Sequence, residues 1–350
     1  MRENIKHLCG DPLFQLNIAI WLSQPIPEYF FIKPVFYQAG LSIYSISPSL
    51  TLPIDIRLII SESHVNAQDC VKPDLVLKSD KKPRFVIVEC KKSSFGKLSS
   101  TAEQSRTLML LSGPILSEVL GGKISNITGI LCYLTQFDQI SPLERTLSEL
   151  TDELKKVKLE PGKYGVLGIK PSDKYILLEY SDTLQSYLGL IEKSPVEVLA
   201  FDEETDPRPL YFIPYDPNIS FSKEEQDFYK RILYERVLVY ILSILGPAKI
   251  PCSFTITTID VLTSVTLGVY EIWDDNEAKK NIRNLLKSFM QSLIGGLRDD
   301  LRPYIQYEPR KGWLFSIKTK NIYGEILAYL SKFKPENLDL SQDTEPELFE

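Results

Sequence analysis

The stretch Lys72–Lys91, KPDLVLKSDKKPRFVIVECK, holds the pattern on which the fold turns. Two apolar runs, Leu75–Leu77 and Phe85–Val88, flank a charged segment that ends in Pro83. Such runs around a charged, proline-containing break predict a β-hairpin. Apolar residues on both faces predict strands covered on two sides, as in the middle of a sheet. A turn centred on Asp80-Lys81-Lys82-Pro83 sets a register in which Asp74 lies opposite Glu89. Facing residues of antiparallel strands share a face, with Cβ atoms about 4.5–5.5 Å apart, and Lys91 joins that face by the period of two. Phe85 and Ile87 lie on it further back, while Val86, Val88 and Cys90 take the other. Two carboxylates so close repel one another unless a proton or a cation lies between them, and a Mg²⁺-type ion meets that need.

Working outward, PLFQLNIAIWLS (12–23) predicts a helix with Asp11 as N-cap and Pro12 in its first turn. Strands are expected near 30–37, 41–46 and 51–60 ahead of the hairpin. After it, Ser100 and Glu103 have capping-box spacing at the start of a helix over 100–112, stopped by Ser-Gly-Pro. Gln104 heads one stripe of that helix, followed by Thr107, Leu108 and Leu111. ITGILCYLT (127–135) predicts a buried strand, 142–157 an amphipathic helix, and 164–180 two more strands.

Pro73-Asp74, fourteen intervening residues and then Glu89-Cys90-Lys91 resemble the signature of the PD-(D/E)XK nuclease superfamily. The likeness covers roughly residues 11–135 and implies an α/β, restriction-endonuclease-like core of order α-β-β-β-α-β, with a mixed sheet flanked by helices. It implies that Asp74 and Glu89 hold Mg²⁺ or Mn²⁺ with the main-chain carbonyl of Cys90, and that Lys91 orients or activates the attacking water. Some branches also line the site with a glutamine in the matching helix, which implies a role for Gln104. Those branches place a tyrosine four residues later, where this chain has Leu108. Many members carry a further glutamate in the first helix, yet 12–23 contains no acid and Glu28 is the nearest substitute. The bland alternative for Asp74, Glu89 and Lys91 is a cross-strand ion-pair cluster, worth little energetically.

The remainder divides at the proline-bearing stretch 201–219, which is expected to link a nuclease-like domain (1–200) to a mainly helical one (220–334) that ends in a strand pair, with an acidic, disordered tail over 335–350. The chain of 350 residues carries a net charge of −6, but residues 276–320 hold ten Lys or Arg against four acids. Lys280, Arg283 and Lys287 fall on one helical face there, and Arg310 and Lys311 on a hairpin turn. Helices followed by a basic hairpin resemble a winged-helix module, which implies that these five residues contact nucleic-acid backbone.

Five scattered cysteines without a C-x-x-C pair disfavour a zinc site or a disulfide framework and suit a reducing compartment. Only two histidines, His7 and His64, are present, which turns attention from Ser-His-Asp chemistry to carboxylates, lysine and metal. No apolar run approaches the ~20 residues of a membrane span, and the first ten residues lack the order of a signal peptide. The expectation is a cytoplasmic, metal-dependent endonuclease acting on DNA, with a homodimer or a partner protein subunit as a further option. The alternative is a DNA-binding or regulatory protein that keeps the nuclease fold as a scaffold.

Overall fold

The structure, a computed structural model, describes residues 7–25, 32–79, 81, 83–119, 127–200, 211–217, 222–308 and 311–334. It divides into two compact units, one of Met1–Arg208 with Ile272–Asp275, the other of Pro209–Glu271 with Asn276–Glu350.

The first unit opens with helix α1, Pro12–Leu22, where the Asp11 carboxylate accepts from the Leu13 N–H at 2.9 Å. Every residue from Leu13 to Leu22 is buried. A helix apolar all round has to be covered all round, and Gln15 and Asn17 are its only polar residues. Strand β1 (Leu41–Ile46) follows, then a small β2–α2–β3 excursion of Leu50–Thr51, Ile54–Glu62 and Cys70–Val71. The hairpin comes next as β4 (Leu75–Ser79) and β5 (Arg84–Lys91), then α3 (Ser100–Leu111), β6 (Thr128–Gln136), α4 (Ile140–Lys156), β7 (Lys163–Pro171), β8 (Tyr175–Glu179), α5 (Asp182–Leu188) and β9 (Val196–Ala200).

Seven strands form one mixed sheet in the order β1-β4-β5-β6-β7-β8-β9. β4 is antiparallel to β1 and β5, β5 through β7 are parallel, and β8 and β9 return antiparallel. Phe85 and Ile87 of β5 pack with Leu108 and Leu111 of α3 and with Leu143, Leu147, Leu150 and Leu154 of α4, the last four at helical spacing. α1 packs against β5 and β6. The unit is α/β, with helices flanking a mixed sheet. Gly129 and Gly162 fix how closely α3 approaches it: a Cβ at either would fall on the carbonyl oxygen of Ser112, at the helix end.

Two expected strands are corrected. Residues 51–60 alternate Ile54, Ile56, Leu58 and Ile60, which imitates a strand, but Pro53 opens helix α2 and Asp55 sits in its first turn. Ile56 and Ile60, one helical turn apart, pack on the core and leave Ile54 and Leu58 exposed. Within 30–37, residues 30 and 31 lie outside the described residues, and Val35–Gln38 forms one helical turn between Pro34 and Gly40, whose φ is +77°. The cap of α3 is Ser99 rather than Ser100; its hydroxyl accepts from Ala102 N–H at 3.2 Å.

In the second unit, α6 (Lys223–Leu245) and α7 (Thr258–Val265) both begin with capping boxes and flank β10 (Cys252–Ile256). Then come α8 (Asn276–Gly295), β11 (Ile305–Glu308), β12 (Gly312–Ile317) and α9 (Lys320–Lys332). The strand pair expected at its end is a three-stranded antiparallel sheet of order β10-β12-β11, tied by Phe254 stacked on Phe315 at 5.1 Å. It is followed by a helix, which burial of Ile326 and Leu330 holds in place. Of the stretch 201–219, only 211–217 is described; Tyr211, Phe212 and Ile213 are buried, with Tyr211 stacked on Tyr229. The tail 335–350 lies outside the described residues. No described helix is long and apolar enough to cross a membrane.

Candidate active site

The β4–β5 ladder pairs Leu75 with Val88, Val76 with Ile87, Leu77 with Val86 and Lys78 with Phe85. This is the register expected from the sequence, and the ladder ends at Leu75–Val88, one residue short of Asp74 and Glu89. Asp74 stands just before β4, where its Oδ2 accepts from the Cys90 N–H at 2.6 Å and its own carbonyl accepts from the Ser47 N–H at 3.1 Å. Its carboxylate thus caps the edge of β5 at the motif itself.

Glu89 and Lys91 project toward α3, where Gln104 joins them. Lys91 Nζ lies 2.7 Å from Glu89 Oε1 and donates to Gln104 Oε1 at 3.0 Å, while Gln104 Nε2 donates to Glu89 Oε1 at 2.9 Å. The carboxamide can sit only one way round, because a flip would set its NH₂ against the ammonium and its oxygen against the carboxylate. The Glu89 side chain is 4% exposed and that of Lys91 19%. Glu89 Oε2 is buried and has no hydrogen-bond partner among the described residues.

Three neighbouring groups respond to this charge. Burial draws the Lys91 ammonium down, but the Coulombic pull and hydrogen bond of Glu89, with Asp74 adding, carry its pKa above the ordinary value. Burial pushes the Cys90 thiol well up, and Asp74 and Glu89 push it further. The phenol of Tyr133 on β6 is raised by burial and then by Glu89, with Asp74 also contributing. Both carboxylates therefore act on the same small region at the end of β5.

Two buried side chains that the sequence pattern did not single out hold the backbone there. The Lys91 carbonyl accepts from Thr135 Oγ1 at 2.8 Å and from Gln15 Nε2 at 3.2 Å. Gln15 Nε2 also donates to the Cys9 carbonyl at 2.9 Å, and its own oxygen is buried without a hydrogen-bond partner among the described residues. The signal available in the sequence was a glutamine inside an otherwise apolar helix, a residue that has to find polar company on burial.

The basic residues of the second unit are dispersed differently from their count. Arg298 pairs with Asp300 and Glu325, Arg302 with Asp299, and Lys311 with Glu308 at 2.8 Å. These pairs take up three of the four acids between 276 and 320. On α8, Lys280, Arg283 and Lys287 are exposed, opposite buried Ala278, Ile282, Leu286, Phe289 and Leu293. Arg283 Nε donates to the Lys279 carbonyl at 3.0 Å. Glu28 and Arg310 lie outside the described residues, and His64 is exposed.

Neither a family model, nor a curated protein, nor a solved structure matches this chain.

Proposed function

We propose that the chain is a metal-dependent nuclease that hydrolyses phosphodiester bonds in DNA, with its site at Asp74, Glu89, Lys91 and Gln104. The observation that carries this reading is the Oε2 of Glu89, buried without a described partner beside Lys91 on a central strand where the Asp74 carboxylate accepts from the N–H of the next residue, Cys90. A buried carboxylate oxygen with nothing to bind is costly unless a cation or water takes it. The order α1-β1-β4-β5-α3-β6, interrupted by the β2–α2–β3 excursion, supports the resemblance to the PD-(D/E)XK core. The second unit's three-stranded sheet and its helices support a winged-helix-like, nucleic-acid-binding role.

The donor set suits a hard, oxygen-seeking ion. No cluster of three or more His, Cys, Asp or Glu side chains occurs among the described residues. Mg²⁺ commonly binds through one or two carboxylates, keeping waters and substrate phosphate oxygens in its other positions. Asp74, Glu89 through Oε2 and the Cys90 carbonyl would hold it. When bound, such an ion lowers the pKa of water and stabilises charge on phosphate oxygens.

The protein's own residues do the rest. Lys91 is an ammonium at neutral pH, so it enters as a hydrogen-bond donor and a fixed positive charge beside the scissile phosphate. Gln104 keeps Glu89 Oε1 and Lys91 Nζ engaged, which leaves Oε2 as the oxygen that can bind an ion. Thr135 and Gln15 anchor the carbonyl of Lys91 so that its side chain leaves the strand in one direction. The exposed Lys280, Arg283 and Lys287 on α8 would hold duplex backbone, as would Lys311, which pairs with Glu308, and Arg310, which lies outside the described residues.

The test is incubation of purified full-length protein with supercoiled and linear DNA, with Mg²⁺, with Mn²⁺ and with chelator. Cleavage that needs the metal and is lost in Glu89→Ala is the expected result. A second reading, a nuclease-like scaffold that binds DNA without cutting, is favoured by the 2.7 Å Lys91–Glu89 pair, which already compensates the buried charge. Salt-sensitive DNA binding without cleavage under any metal would select it.

A further inference from the structure

Far along the chain, the segment Ile272–Asp275 belongs to the first unit. Trp273 is fully buried and forms a parallel bridge with Ile46 at the end of β1. Asp274 N–H donates to the Ile46 carbonyl at 2.8 Å, and the Asp274 carboxylate accepts from the Ser45 hydroxyl. Asp275, whose side chain is 1% exposed, pairs with Lys72 Nζ at 2.9 Å. We infer that Trp273–Asp275 is a strap that positions Asp74 and thereby sets how tightly the proposed site binds a divalent cation; the inference rests on the nuclease reading of that site.

Each grip of the strap falls on a residue that brackets Asp74. On one side, Ser45 and Ile46 lead directly into Ser47, whose N–H holds the Asp74 carbonyl at 3.1 Å. On the other, Lys72 is followed by buried Pro73. The pyrrolidine ring fixes φ at Pro73 and confines the residue before it to extended backbone, so a displacement of Lys72 is passed on to Asp74 rather than absorbed. Asp274 and Asp275 add polar grips at both ends of the Lys72–Asp74 turn, one of them a buried carboxylate that is costly unless paired. A group that fixes a metal ligand from behind typically accounts for about 10–100-fold in metal affinity. Asp274, Asp275 and Lys72 are on these grounds positioning residues.

The test measures Mn²⁺ uptake by full-length protein, from the loss of the free-ion electron paramagnetic resonance signal, alongside thermal melting. Asp274 is exposed, so Asp274→Ala is a mild change to the fold, whereas Lys72→Met takes the cation from the buried Asp275 carboxylate and lowers stability as well. Both should bind Mn²⁺ about tenfold more weakly than wild type, with melting curves that still show a folded protein. Lys72→Arg, which keeps a cation facing Asp275, should restore most of the affinity, and Asp274→Ala, which leaves the Lys72–Asp275 pair intact, separates weakened binding from a loss of that pair. Wild-type affinity in both Asp274→Ala and Lys72→Met, with binding lost in Asp74→Ala, overturns the strap and leaves the metal site standing. If wild type takes up no Mn²⁺, or Asp74→Ala binds as well as wild type, the metal site itself is wrong and the strap's role falls with it. Should Lys72→Met unfold, Asp274→Ala carries the same comparison alone.

Discussion

Replacing Lys91 by Met leaves Glu89 a carboxylate with 4% of its side chain exposed, one hydrogen bond from Gln104 on Oε1, and no described partner on Oε2. At 2.7 Å, and with an effective dielectric constant near 20, the attraction removed is about 6 kcal/mol. Removing one partner of a buried pair costs about 3–5 kcal/mol once desolvation and relaxation are included. The surviving bond from Gln104 places the expected loss near the lower end, about 3 kcal/mol. Glu89→Gln should cost less, about 1–2 kcal/mol, because Lys91 is 19% exposed and has water within reach when its partner is neutral. The assay is urea denaturation followed by tryptophan fluorescence, to which Trp21 and Trp273, both buried in the first unit, contribute. Because Glu89 carries the Lys91 pKa above the ordinary 10.5 despite burial, the stability due to the Lys91 charge is fully present below that pH. It is lost only as pH rises through the elevated folded value. The gap between wild type and Lys91→Met should therefore be flat from about pH 6 to 9 and close only in strong alkali. Equal losses in the two variants, or a larger one in Glu89→Gln, would refute the assignment of the buried, charge-dependent member of the pair to Glu89.

Further outcomes are expected. Asp74→Ala, Glu89→Ala and Lys91→Ala should each abolish metal-dependent cleavage while circular dichroism stays folded, and Lys91→Arg should fail to restore it, because a planar fork does not replace a compact ammonium. Gln104→Ala should lower the cleavage rate by about 10–100-fold, on the scale of removing support behind a metal ligand, read from single-turnover rates at saturating Mg²⁺. Neutralising Lys280, Arg283 and Lys287 together in the full chain should flatten the salt dependence of duplex binding by about 0.9 in log–log slope for each phosphate that is no longer neutralised. An unchanged slope in a fluorescence-anisotropy titration would remove α8 from the interface.

The parts of the site that the sequence disclosed are those governed by local periodicity. A period of two put Glu89 and Lys91 on one face of β5, and a helical stripe placed Gln104 on the inward side of α3, so that the three meet as hydrogen-bonded partners. Asp11 and Pro12 marked the start of α1 because capping is a one-turn interaction. Local rules misled where two periods coincided, as in Ile54–Ile60, whose alternate isoleucines satisfy a strand while Ile56 and Ile60 also satisfy one turn of helix. They were silent on Gln15 and Thr135, whose role is to hold a carbonyl supplied by a different strand. The strap was equally illegible, since Trp273–Asp275 has no pattern of its own and takes its meaning from Ser45, Ile46 and Lys72.

The separation between the strap and its targets orders events during synthesis. Ser45 meets Asp274 across 229 residues and Lys72 meets Asp275 across 203, whereas Glu89, Lys91 and Gln104 lie within 15 residues of one another. Chains fold from the N-terminus as they emerge, and long-range pairings close last. A ribosome-bound chain can therefore complete the sheet and the Glu89–Lys91–Gln104 triangle well before anything grips the turn that bears Asp74. Residue 275 immediately precedes α8, so the last piece of the first unit and the first turn of the basic helix leave the ribosome together. A chain broken off before Trp273 carries every side chain of the proposed catalytic set yet lacks the proposed strap, so it should bind Mn²⁺ about tenfold more weakly than the full chain.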